Sequence, residues 1–438
     1  MLPTLILPAS WRALLETFRP AFARAPTFGL FMLLATGLVA QTSRRTVVGM
    51  LAGAGMATVV SFHSVCRFFS QHVWTPDQLG LLLARLIVTR LLAEDAPLVI
   101  AIDDTLFRRW GRRVHAAFWT HDGAAQGPAK LGRGNRWIIA GLVVQLPFCS
   151  HPVCLPVLCR LWAGKGTTTP VELAGQLLGL LAAAFPDHKV HGVGDAAYHG
   201  RSLLVPAATF TTRLPSNAAL FELAPPRTGK RGRPRLKGRK LGRPAELAAT
   251  ASWRTARVRR YGRTETVQLA ELPCLWYGAF AHTPGRLILV RDPDSDPERG
   301  YDLALFTTDS QAAAEDIVVR YAQRWSIEPA NAAAKQLLGV GQARNRVARA
   351  VQRTVPFGLL IQSLVTVWYA SSGYHPEDIT ARRAAQPWYL QKAEPAFEDM
   401  LAKLRRAIIA SRFTITNPAK PDQRIIRDYA LACAAAAA

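Results

Sequence analysis

Acidic side chains are scarce in this sequence. Its 438 residues carry 30 Asp and Glu against 54 Lys and Arg, a formal charge of +24. An excess of that size calls for a polyanionic partner, either nucleic acid or an anionic membrane. Long apolar runs are also missing. The longest, such as Phe28 to Ala40 and Leu178 to Phe185, fall short of the roughly 20 residues that cross a bilayer. No membrane association is expected. The opening MLPTLILPASW lacks the basic start and small-residue cleavage site of a signal peptide, so the expectation is a soluble, cytoplasmic protein. Cysteine is sparse: six residues cannot build a disulfide framework. Cys149, Cys154 and Cys159 recur every five residues around His151, a spacing that fits no common zinc pattern. They read as small hydrophobes in buried strands.

Half of the residues are apolar, enough for two or three domains with a sizeable core. Residues 1–95 carry helical periodicity in TFGLFMLLATGLVA and PDQLGLLLARLIVTRLL, broken by short polar stretches. This region is expected to be a helical DNA-binding region, with a plain helical bundle as the alternative. At residue 97 the pattern changes to PLVIAIDDT, a short apolar run ending in two carboxylates, which predicts a buried strand. Strands are predicted again over 135–146 and 152–162, then a helix over 170–185 with Pro170 near its start. KVHGVGDAAY predicts another strand ending in an acid, followed by a short helix over 200–207 and the strand TFTTRLP.

Residues 216–312 read as a β-rich insertion. It contains a basic stretch, 227–243, with nine Lys or Arg and no acid, and a turn-rich loop at 292–300. Helical pattern resumes through Lys335 (core, 313–355) and into a helical C-terminal region (356–438) that ends in a frayed run of alanines. The segment 96–215 would form the first part of the core. No internal repeat is visible.

Within YAQRWSIEPANAAAKQ, the residues Tyr321, Arg324, Glu328 and Lys335 lie 3, 7 and 14 positions along from the first. On a straight helix these offsets share an arc about 60° wide. A carboxylate flanked by Arg, Lys and a Tyr hydroxyl suits a metal ion held beside a phosphate. Asp104 and Asp195, each at the end of a predicted strand, supply further hard oxygen donors of the kind that two-metal phosphoryl chemistry requires.

These motifs (IDDT at 102–105, GDAAYHG at 194–200, YAQRWSIE and AKQLLGVGQARNR at 321–346) resemble the DDE transposases of bacterial insertion sequences, in the Tyr-Arg-Glu-Lys signature group. The resemblance spans about residues 97–355. It implies an α/β, RNase H-like mixed sheet flanked by helices and interrupted by the β-rich insertion, with helical regions at both ends. It further implies a catalytic and metal-binding triad of Asp104, Asp195 and Glu328 using two Mg²⁺ ions, with Mn²⁺ as a substitute. Asp104 precedes Thr105, as the family's ligand precedes Thr or Ser; Asp103 stays open as the alternative, since neighbouring strand residues point to opposite faces. Tyr321, Arg324 and Lys335 would contact the DNA backbone near the transposon end. The implied activity is cleavage at terminal inverted repeats and joining of 3′ ends to target, and the signature group further implies a hairpin intermediate on the transposon end. A homodimer on double-stranded DNA, associated with the bacterial nucleoid, would carry it out. The other two readings are a DNA-binding relative with impaired catalysis and an RNase H-like nuclease without strand transfer. Pro329, directly after the glutamate, is expected to kink the helix before Lys335, and the following alanines to leave it few packing anchors.

Further DNA contacts are expected from Arg231, Arg233 and Arg235 of the basic stretch, either as non-specific attraction or as an extended Arg-Gly-Arg in a minor groove. Arg346, Arg349 and Arg353 recur at helical spacing, as a phosphate-facing stripe or a solvated face. Arg108, Arg109, Arg112 and Arg113 follow the first acids. Trp137 and Trp325 read as core residues or as stacking platforms for a base, and His115 and His199 as structural residues or aids to proton transfer.

Overall fold

The computed structural model describes residues 5–123, 125, 129–226, 234–292, 294–295, 300–413 and 423–437. Five helices open the chain: α1 (Ala9–Glu16), α2 (Ala25–Ala40), α3 (Val47–Gly53), α4 (Phe62–Ser70) and α5 (Pro76–Leu91). α2 is apolar nearly all round and is accordingly buried along most of its length. α5 starts where the sequence signals it: the Thr75 side chain accepts from the backbone of Gln78 and Pro76 takes the first helical position.

The core then follows as β1 (Leu98–Arg108), β2 (Phe118–His121), β3 (Leu131–Val144), β4 (Val153–Trp162), α6 (Pro170–Ala184), β5 (Val190–Gly194) and β6 (Ala208–Arg213). α6 begins with a Thr169–Glu172 capping box and Pro170. The helix expected over 200–207 is a single 3-10 turn, Arg201–Leu203. β3 pairs antiparallel with both β4 and β1, while β1, β5 and β6 run parallel. This is the RNase H-like mixed sheet, with helices against it.

The insertion holds β7 (Leu220–Phe221), β8 (Lys240–Gly242), α7 (Pro244–Ala249), β9 (Arg254–Arg260), β10 (Arg263–Cys274), α8 (Tyr277–Phe280), β11 (Gly285–Arg291) and β12 (Leu303–Thr307). Its main strands do not form a sheet of their own. β12 pairs with β6, and β11, β10 and β9 follow, so among the described residues the core sheet continues to ten strands. The reason is physical: β6 would otherwise present an unpaired edge, and β12 satisfies it.

The remaining elements are α9 (Ala314–Gln323), α10 (Ile327–Gln336), α11 (Ala348–Trp368), α12 (Asp378–Ala385), α13 (Phe397–Ala410) and α14 (Gln423–Ala437). Up to Ala437 the terminal alanines thus continue a helix, in place of the expected frayed tail. α11 with the π-helical turn after it spans 26 residues and is apolar enough to cross a membrane, but 78% of its most apolar window is buried inside the protein. It is the central core helix. Phe357 of α11 meets Phe31 of α2 edge-on at 6.1 Å, and Ser363 donates to the Pro156 carbonyl of β4 at 2.8 Å. Arg353 is buried here, donating to the carbonyls of His72 and Trp74 between α4 and α5 and lying over the Trp74 ring. It is a structural staple, neither a phosphate contact nor a solvated residue.

Candidate active site and adjoining cleft

Strand alternation sends Asp103 and Asp104 to opposite faces of β1. Asp104 is bound by Arg136 of β3: Nε donates to Oδ2 at 2.5 Å and Nη2 to Oδ1 at 2.9 Å. The Tyr198 hydroxyl donates to the same carboxylate at 3.3 Å. Arg136 reaches it because its register partner is Leu106, two residues along β1 on the face of Asp104. The guanidinium also lies 5.6 Å from the Trp162 ring.

Asp103 shares its face with Phe107, and the Lys335 ammonium of α10 stands 5.7 Å above the Phe107 ring. Asp103 therefore lies on the α10 side. Its carboxyl is pushed up to about 7, first by burial and then by the like charges of Asp104 and Asp195, with Arg324 counteracting. Asp195 follows β5 directly. The parallel pairing of Ala101 with Val193 brings Asp195 level with Asp103 two residues further on. Its Oδ1 accepts from the backbone of Ala197 at 2.9 Å and its carbonyl accepts from Thr212 at 2.7 Å, which fixes the turn.

Tyr321, Arg324 and Glu328 come together, but not on one straight helix. A 3-10 turn, Arg324–Ser326, separates α9 from α10. Tyr321 is buried, Arg324 lies 5.9 Å from its ring, and Arg324 Nη2 donates to Glu328 Oε1 at 3.1 Å. Burial works against the Arg324 charge, yet Tyr321, Asp103 and Glu328 outweigh it and hold its pKa above the ordinary value. Pro329 does not kink α10. It sits in the first turn, where backbone N–H groups have no intrahelical partner to lose. Nor do the alanines leave the helix without anchors: Ala330 and Ala334 are buried, and Gln362 of α11 donates to the Ala330 carbonyl at 2.8 Å. Small side chains are what let α10 approach β4 and α11.

Lys335 is set apart from this trio. Burial lowers its pKa, with Asp122, Asp103 and Asp104 opposing and Arg108 adding to the effect. It stands on the wall of a cleft of about 850 Å³ whose rim includes Arg44, Trp110, Arg344 and Arg346. Trp110 had no signal in the sequence beyond its arginine neighbours. Arg109 is buried and donates to Asn135 and Asn345, so it builds this wall and its donors are already engaged there. Arg235 is exposed; Arg231 and Arg233 lie outside the described residues. Trp137 is buried in the core, whereas Trp325 is half exposed. The His199 ring stacks on Trp276 at 4.8 Å, with Nδ1 against the Ala196 carbonyl.

The profile of the DDE superfamily endonuclease family matches residues 17–271, more than half of the chain and including Asp103, Asp104 and Asp195. The chain belongs to this family. It is accordingly an enzyme family member whose substrate is DNA. The match ends before α9 and α10, so Glu328 and its neighbours lie beyond it. No curated protein matches the sequence.

Divalent metals are typical of DDE endonucleases, and the donors here fit a hard cation in kind: they are carboxylate oxygens, and Asp103 is destabilised by the like charges a cation would neutralise. Among the described residues, no three acids, histidines or cysteines converge closely enough to hold an ion in the present arrangement. Glu328 is drawn toward Arg324 and Asp104 toward Arg136.

Proposed function

We propose that this DDE endonuclease is a transposase, cutting at the terminal inverted repeats of an insertion sequence and joining the freed 3′ ends to target DNA. The acids we assign to metal binding are Asp103, Asp195 and Glu328. Asp104, the choice suggested by the sequence motif, is assigned instead to positioning, because Arg136 occupies both of its oxygens on the other face. The observation that carries the reading is the placing of Asp103 and Asp195, each two residues beyond the last paired positions of the neighbouring parallel strands β1 and β5, close to the turn that bears Arg324 and Glu328.

Two bound Mg²⁺ ions would activate the attacking oxygen and stabilise the leaving one. The protein's own part is to position the DNA. Arg324, held against Tyr321, would exchange Glu328 for a backbone phosphate, which its planar fork can grip through two hydrogen bonds. That exchange would free Glu328 to turn toward Asp103 and Asp195. Lys335 adds a point charge further along the strand, and exposed Arg235 and Arg346 add attraction at longer range. A dimer would hold the two ends together for joining.

End-cleavage and strand-transfer assays test the reading, using wild type and Glu328→Gln in Mg²⁺ and in EDTA. Metal-dependent cleavage followed by joining, both lost in the variant, is the expected result. Cleavage without joining would identify a nuclease, and DNA binding without cleavage a catalytically impaired relative.

A further inference from the structure

We propose that the cleft rimmed by Trp110, Arg44, Arg344 and Arg346 binds an unpaired stretch of DNA, with a base stacked on the Trp110 indole and the adjoining phosphates held by the arginines. This rests on the DNA-acting reading above and specifies which form of DNA one region takes.

Three separate segments build the rim. Arg44 comes from the connection between α2 and α3, Trp110 from the loop just after β1, and Arg344 and Arg346 from the loop between α10 and α11. Trp110 is 88% exposed. A large indole in water at the mouth of a cleft leaves its apolar face uncovered, and here the surrounding groups are cationic. No carboxylate among the described residues pairs with Arg44, Arg344 or Arg346; the cleft's own Asp122 is bound by Arg108 at 2.8 Å.

Hydrogen bonds within the chain brace the wall. Arg109 donates to Asn345 at 2.6 Å and to Asn135 at 3.0 Å, the backbone of His115 donates to the Arg346 carbonyl at 2.9 Å, and the backbone of Arg45 donates to Gln342 at 2.8 Å. A preformed wall lowers the ordering cost of binding. Lys335 lines the same cleft and stands 5.7 Å from the Phe107 ring, on the face of β1 that carries Asp103, so a strand lying here leads toward that acid.

The chemistry favours an unpaired strand over a duplex. Paired DNA keeps its base faces inside the stack and offers only phosphates and groove edges. An exposed indole gains nothing from those, whereas every unpaired base presents a face that stacks on it. The cleft, at about 850 Å³, has the scale of a small-molecule pocket (roughly 300–1,000 Å³) and accommodates nucleotides, not a double helix.

The test is equilibrium binding in EDTA of two labelled DNAs, a blunt duplex and the same duplex with a short oligo(dT) tail, by wild type, Trp110→Ala and Trp110→Phe. Wild type is expected to prefer the tailed DNA, Trp110→Ala to weaken it about tenfold while leaving the blunt duplex unaffected, and Trp110→Phe to restore most of the loss. Equal weakening of both DNAs, or no weakening of either, would overturn this proposal and leave the DNA-acting reading intact. Failure of wild type to bind either DNA would overturn both.

Discussion

Arg136 closes on Asp104 through two hydrogen bonds, at 2.5 and 2.9 Å, while the adjacent Asp103 faces the opposite side of the sheet, toward Arg324. The two neighbouring carboxylates are thus separable by substitution. Asp103→Asn is expected to reduce DNA cleavage on the order of 10²–10³-fold with little loss of stability. Asp104→Asn leaves Arg136 without its counter-charge in a half-buried site, so it is expected to cost about 1–3 kcal/mol of stability and to lower activity less. Cleavage rates and melting temperatures of the two variants decide; the reverse ranking of rates would return the metal-binding role to Asp104.

Glu328 is 48% exposed where it meets Arg324. Such an i,i+4 pair adds only a few tenths of a kcal/mol to stability. Glu328→Gln is therefore expected to melt within about 1–2 °C of wild type while losing cleavage. A large drop in melting temperature would mean that any lost activity reflects misfolding.

Pro329 occupies the first turn of α10, so its missing N–H costs nothing there. Pro329→Ala is expected to change stability by less than about 1 kcal/mol in chemical denaturation. By contrast, Ala334→Leu forces extra volume between α10 and the sheet, where Ala334 is fully buried, and is expected to destabilise by about 1–3 kcal/mol.

Acid lability should begin at His191. It is buried on β5, with Nδ1 2.6 Å from the Thr209 hydroxyl and 3.6 Å from Asp309, which Arg320 also holds at 2.9 Å. Burial, then Arg320, pushes the imidazole down to about 4, with Asp309 opposing. Because the folded value lies below the ordinary one, the neutral ring's contribution is full above about pH 6.5 and is lost as pH falls toward 4. Asp309, held down to about 2 by Arg320 and backbone donors despite its burial, contributes in a lower window, lost as pH falls from about 4 toward 2. Melting temperature against pH should therefore fall in two stages, and His191→Gln should flatten the first. An unchanged first stage would rule His191 out as its source.

Local chemistry was enough to read much of this protein from its sequence. PLVIAIDDT forms the buried strand its apolar run predicts, although β1 continues past the acids to Arg108, and α6 starts at Pro170 as its position predicts. The charge excess pointed to a polyanion, and the DDE family match agrees with it. Tertiary structure decided what depends on neighbours distant in the chain. The insertion became part of the core sheet because β6 needed a partner. Pro329 became harmless because a 3-10 turn restarted the helix just before it. Spacing also could not tell which arginines stay free. Arg353 and Arg109 spend their charge on buried carbonyls and amides, whereas Arg44, Arg344 and Arg346 gather from separate segments around one exposed tryptophan. Periodicity within a segment is local and legible, but which face of β1 meets α10 is set only when the sheet and helices pack.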